Sequence, residues 1–319
     1  MQSKKGMGLK FPKIRFSQTT LLLILLLLLI TVITCVSPLF LSWRNVRNIF
    51  MQNAITGILA AGMTMVMISG GIDLSVGNQL SFMGCFLSLL INNGIFDGFA
   101  VLIVIVFSTL LSLVSGLIIA NTRVQPFIIT LGLMSVYKAL ALITSNGSDM
   151  PIRTFTWLGQ TQIFGIILPV WIFLLLFLVV GLTLKFTRFG RNIYSLGSNE
   201  QAAFISGVAT KRLKVTIYTL NGLIVGLASS VILSRLGSAV PTMGDGYEMS
   251  AIAACAIGGI TLSGGMGGAF GAFLGVLFLG IVRNGLNMMS VPSFYQYLVN
   301  GVIIIIAVLL SSYGGKKRR

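Results

Sequence analysis

Apolar residues run along this chain in stretches of about twenty, separated by short polar or glycine-bearing breaks. A helix of about 20 apolar residues matches the hydrocarbon thickness of a bilayer. On that spacing the chain predicts spans at 19–41, 50–69, 74–92, 99–120, 126–145, 166–185, 214–234, 248–262, 267–288 and 295–312. The eighth is short and glycine-rich, so a broken or half-buried helix is expected there. The predicted fold is an all-α membrane protein of about ten transmembrane helices, with broken or re-entrant helices at its glycine-rich motifs. Two connections are long: 146–165, and 186–213.

Composition places the whole chain in the membrane. Mean hydropathy is +0.98, and 9% of the 319 residues are charged, where a soluble domain carries roughly 25%. No polar stretch is long enough to build a second core, so residues 1–319 read as one transmembrane domain. Lys4, Lys5, Lys10, Lys13 and Arg15 precede a leucine run, as in a signal peptide. The run is too long for one, and no small-x-small cleavage site follows; it reads as an uncleaved first helix.

The formal charge of +16 gives orientation rather than a nucleic-acid partner, because no basic groove with interleaved aromatics is present. With ten spans and both termini cytoplasmic, the cytoplasmic side holds the five N-terminal cations, Arg123, the six from Lys185 to Lys214, and Lys316 to Arg319. The outer side holds Arg44, Arg47, Arg153 and Arg235, while Lys138 and Arg283 fall inside spans. An excess of this kind on one side follows the positive-inside rule.

Reactive chemistry is sparse. Cys35, Cys85 and Cys255 stand singly in apolar runs without metal spacing. There is no histidine, which removes imidazole triads, metal sites and proton relays. Asp73 is the acid within an apolar region, between the glycines of Ser69-Gly70-Gly71-Ile72-Asp73-Leu74-Ser75-Val76-Gly77. A carboxylate at that depth costs a few kcal/mol and needs partners or water. It is expected either to clamp the second span to the third, with Ser75 capping the latter, or to line a pathway. A second cluster, Ser263-Gly264-Gly265-Met266-Gly267-Gly268, interrupts the other half, as paired repeats around a pathway or as a tight turn. Gly267, Gly271 and Gly275 suit close helix packing. Gln52, Asn53, Thr64, Asn221, Asn284 and Asn287 are candidates to line a pathway or to cross-link helices.

Three stretches carry a resemblance. They are Gly62 to Gly77; Arg188-Phe189-Gly190-Arg191 through Ser198-Asn199-Glu200-Gln201-Ala202-Ala203 to Gly207; and Gly246-Tyr247-Glu248-Met249-Ser250-Ala251-Ile252 to Gly265. Together they resemble the ribose-type permeases of ATP-binding-cassette (ABC) importers, from the second span to the last. The resemblance implies a multi-pass protein of the cell inner membrane, paired with a second permease, identical or not. It implies an ABC ATPase that uses ATP and Mg, a secreted solute-binding protein, and a monosaccharide such as ribose, galactose or xylose. The family often has an acid where Ser250 stands and a glycine where Ser198 stands, which leaves the particular solute open.

The resemblance places coupling to the ATPase in the 186–213 loop, at Asn199, Glu200, Ala202, Ala203 and Gly207. The residues suit it: Asn199 can cap a short helix, Glu200 fits its first turn, and Ala202, Ala203 and Phe204 form an apolar face. Arg153 and Arg235 are candidates for docking the binding protein. The chain has no phosphate-binding loop, since Gly314-Gly315-Lys316-Lys317 lacks its spacing and hydroxyl. It therefore binds no nucleotide cofactor and is no enzyme by this reading. An ion-coupled secondary transporter is the alternative, and it would need a titratable group such as Asp73 at mid-membrane.

Overall fold

The structure is a computed structural model that describes residues 18–152 and 154–316. Its helices are α1 (Gln18–Val36), α2 (Trp43–Ile68), α3 (Val76–Asn92), α4 (Asp97–Asn121), α5 (Pro126–Ser145), α6 (Trp157–Gln160), α7 (Leu168–Phe186), α8 (Arg188–Ser198), α9 (Glu200–Ile205), α10 (Thr210–Leu236), α11 (Tyr247–Ile257), α12 (Ala269–Met288) and α13 (Ser293–Lys316). Two short antiparallel ladders complete it: β1 (Met150–Pro151) pairs across the chain with β4 (Ser238–Ala239), and β2 (Gln162–Ile163) forms a hairpin with β3 (Ile166–Ile167).

A helix lies on each predicted span, and among the described residues seven are long and apolar enough to cross a membrane: α1, α2, α4, α5, α7, α10 and α12. α3 and α11 are apolar but shorter. Several boundaries differ from expectation for local reasons. The first helix stops at Val36, because Pro38 has no N–H to continue it and opens a 3-10 turn over Pro38–Leu41. α2 starts seven residues early, where the Ser42 hydroxyl caps it by accepting from Asn45 N at 3.3 Å. The loop expected at 186–213 is mostly helix. Thr187 caps α8 (Gly190 N to Oγ1, 3.0 Å), and Asn199 caps α9 (Ala202 N to Oδ1, 2.9 Å).

α2 and α10 form the centre. Of the most apolar stretch of each, 83% and 67% is buried, against 17% in α1 and in α5. Leu21, Leu25 and Leu28 of α1 and Phe127, Ile128 and Leu131 of α5 lie exposed, as expected of faces turned to lipid. Without a hydrophobic drive between helices, small residues and hydrogen bonds do the joining. A methyl on Gly226 would stand 2.9 Å from Ile105 Cα, so α10 meets the α4 backbone there. The Ser108 hydroxyl donates to Gly222 O at 2.7 Å. Gln79 of α3 donates to Ser108 O and to the Ser112 hydroxyl, both at 3.0 Å, adding the third helix. Gly271 and Gly275 face Gly258 and the Ala254 carbonyl. That stripe seats α11 on α12 within one chain.

Candidate functional sites

The α2 helix ends in bare backbone. Gly70 takes φ +84°, a left-handed turn that lets the chain leave the helix. Ile68 O, freed by that end, accepts from Gly265 N at 2.8 Å. Gly197 of α8 packs on the same Ile68 carbonyl, and a methyl there would also stand 2.6 Å from Gly265 N. A methyl on Gly264 would lie 2.7 Å from Gly70 Cα and 3.0 Å from Gly197 Cα. Both glycine clusters therefore meet each other and the end of α8. This is a three-way backbone junction rather than a lone turn.

Attached to the junction is α9. Ala203 is buried, while Phe204 and Ile205 are 67% and 79% exposed. Glu200 pairs with Lys214 of α10 at 2.6 Å. Gly207, at φ +84°, closes the segment, donating to Phe204 O at 3.0 Å. Beside α9 lies an open niche of about 750 Å³, lined by Arg123, Lys211, Arg212, Lys214, Glu200 and Phe204 among others.

Asp73 lies just past the junction and is 2% exposed. Its Oδ1 accepts from Ser75 N (3.0 Å) and the Ser75 hydroxyl (2.6 Å), and its Oδ2 from Asn221 Nδ2 of α10 (2.9 Å). Ser75 was expected to cap α3 with its side chain; it makes no such bond. The carboxylate, the stronger acceptor, takes the hydroxyl and forms the turn instead. Gly71 is bare because the Tyr218 hydroxyl fills the space of a side chain. Gly77 is bare because Glu248 and the Gly244 carbonyl press on it. Gly244 N also donates to the Ser81 hydroxyl at 2.8 Å.

At the other ends of α2, α10 and α12 a cavity of about 460 Å³ opens. It is lined by Gln52, Ile232, Arg235, Leu236, Val240, Met243, Tyr247 and Arg283. Arg235 Nη1 donates to Met51 O at 2.9 Å. Arg283 also borders a small void of about 20 Å³ with Asn53, Thr56, Ser250, Ala253, Leu279 and Asn300. Sixteen residues of α2 separate Gln52 from Ile68, about 24 Å at helical rise.

The candidate amides thus divide. Gln52 lines the cavity and Asn53 the void, with its amide on Ile49 O at 2.6 Å. Asn221 holds Asp73. Asn284 exchanges two 2.9 Å bonds with Asn45 and lines neither. Thr64 turns back on Ala60 O, and Asn287 accepts from Gln296. Arg153 lies outside the described residues, as do the basic residues before Gln18 and after Lys316. Sequence reasoning missed Glu248, buried at 4% exposure in the first turn of α11. It also missed the Lys138–Asp245 pair at 2.6 Å, and it noted Arg283 only as a cation inside a span.

Residues 45–308 match the family described as the permease component of branched-chain amino acid transport systems. The chain belongs to that permease family. The permease is similar to the ribose import permease of Escherichia coli K12, 39% identical over 298 residues, covering 91% of this chain and 92% of the relative. It is 40% identical over 283 residues to the ribose import permease of Bacillus subtilis 168, covering 88% of each. The L-arabinose ABC transporter permease of Azospirillum brasilense is 35% identical over 294 residues, covering 88% of this permease and 84% of the relative. No solved structure matches. The family description names amino acids, whereas these full-length relatives are named for sugars.

Proposed function

We propose that this chain is the membrane-spanning permease subunit of an ATP-driven importer of a monosaccharide, crossing the inner membrane ten times with both termini cytoplasmic. The observation that carries the mechanism is the junction of Ile68, Gly197 and Gly265, which joins α8 and α9 to the helix that reaches the cavity. Exposed Phe204 and Ile205, rimmed by Arg123, Lys211 and Arg212, suit a groove with an acidic edge on an ATPase subunit. That face is cytoplasmic on the positive-inside rule, and the cavity with Gln52 and Arg235 then opens outward, toward a solute-binding protein. A second permease, identical or related, completes the pathway. ATP and Mg act in the partner ATPase; this chain binds neither.

Motion of the ATPase displaces α9 and α8, the junction passes the displacement to α2, and the helices around the cavity reorient. Asp73 acts as a clamp in this scheme, because all its oxygen contacts lie within α2–α3 and α10. The similarity to permeases named for ribose and arabinose import supports a sugar as cargo. A caged Asp73 gives little support to an ion-coupled transporter.

The test is to isolate the assembly by a tag on this chain and to assay ATP hydrolysis. The purified chain alone should show none, and activity should appear with its ATPase subunit. Phe204→Asp should strip the ATPase from the permease without lowering permease yield. Hydrolysis by the pure chain, or full retention of the ATPase by Phe204→Asp, would sink the reading.

A further inference from the structure

We infer that the solute this permease carries is an anion, a sugar-like molecule bearing a carboxylate or phosphate that Arg235 and Arg283 receive. This rests on the importer reading above and narrows its cargo. Both arginines line the external cavity, Arg235 with one guanidinium nitrogen held by Met51 O, and the cavity's volume falls in the range of about 300–1,000 Å³ usual for small-molecule sites. The ion pairs among the described residues are Lys138–Asp245 and Lys214–Glu200. Neither arginine therefore has a carboxylate.

The nearby acids are engaged elsewhere. Asp245 is held by Lys138 at 2.6 and 2.7 Å. Glu248 is buried against Gly77 and accepts from Gly246 N at 3.3 Å. Ser250 brings a hydroxyl to the void beside Arg283, and it donates to Gly246 O. The polar wall thus holds two cations, the Gln52 amide and the Tyr247 phenol.

Arginines near helix ends often only snorkel to interfacial water. Arg283 does not fit that pattern, since the void it borders is shared with Asn53, Thr56 and Asn300, and it lines the cavity as well. It thus borders both spaces. Ile232, Leu236, Val240 and Met243 make the rest of the cavity wall apolar, and a cleft lined by one sign of charge between low-dielectric walls focuses its field on the opposite charge. A neutral sugar would pass leaving both cations unneutralised. A carboxylate or phosphate neutralises them and matches the planar guanidinium fork.

The complete importer, with ATPase and binding protein, is reconstituted in vesicles and offered four labelled probes: D-ribose, D-glucose, D-glucuronate and ribose 5-phosphate. ATP-dependent uptake of one of the anions should exceed that of both neutral sugars at least tenfold; which anion wins separates carboxylate from phosphate. Arg283→Gln should lower anion uptake at least tenfold and Arg283→Lys less, with assembly checked by retention of the ATPase. Dominant uptake of a neutral sugar, or anion uptake unchanged in Arg283→Gln, overturns the inference and leaves the importer reading standing. ATP-dependent uptake of none of the four, with no solute-stimulated ATPase, fails that reading itself.

Discussion

The Asp73 cage makes a prediction that separates a clamp from a transport carboxylate. Replacing Asp73 by Ala leaves Ser75 N and Asn221 Nδ2 buried without acceptors. Each unsatisfied group costs about 1–3 kcal/mol. Relief from burying a charge offsets part of this, so a net loss of about 2–4 kcal/mol is expected. Asp73→Asn keeps the shape. Its oxygen can accept from Ser75, and its amide can donate to the Asn221 oxygen, which has no partner now, once Asn221 turns over. Loss there should stay under about 1.5 kcal/mol, the worth of one ordinary hydrogen bond. The assay pairs thermal melting of the purified permease with uptake per assembled complex in vesicles. Asp73→Ala should melt several degrees lower, while Asp73→Asn should melt close to the parent and transport. A variant Asp73→Asn with parental melting and no uptake would refute the clamp and restore a pathway or ion-coupling role.

Two further outcomes follow from packing. Gly197→Val would push side-chain carbon into Ile68 O and Gly265 N, costing about 1–3 kcal/mol by overpacking. Uptake per ATP hydrolysed should fall with it, whereas Gly181→Ala, whose new methyl meets only Ala269 Cβ at 3.6 Å, should leave both melting and uptake unchanged. Exchanging the charges of Lys138 and Asp245 should restore what either single reversal loses. The pair is 28% and 49% exposed, so a double-mutant cycle should read about 0.2–1 kcal/mol.

Much of the helix plan was legible because a bilayer sets one length for every apolar run. Local caps were legible too: Asn199 does for α9 what its side chain suggests. The misreading of Ser75 came from ranking a hydroxyl as a cap without the carboxylate two residues before it. Long-range pairings were not legible. Gln52 and Asn284 are both amides in apolar helices, yet one faces the cavity and the other bonds to Asn45, 239 residues away. Which happens depends on the rotation of each helix against its neighbours, which no local pattern encodes. Lys138 and Asp245 are likewise joined only by the packing of α5 against the loop before α11. Glycine gave the opposite lesson. Its clustering was visible, but several of these residues are bare because of what approaches them: Tyr218 at Gly71, Glu248 at Gly77, backbone at Gly197 and Gly264.

The junction has a practical consequence for building hybrids of this permease. Its closest contacts are main chain on main chain, with the Tyr194 hydroxyl of α8 donating to Gly267 O at 2.9 Å beside them, so a side-chain exchange on one segment can do little to compensate a shift in another. A chimera that takes 186–213 from a relative, to accept that relative's ATPase, inherits a fitted joint only if 66–71 and 262–268 travel with it. Swapping the loop alone should give a protein that binds the foreign ATPase and yet idles, because the graft has a partner but no transmission.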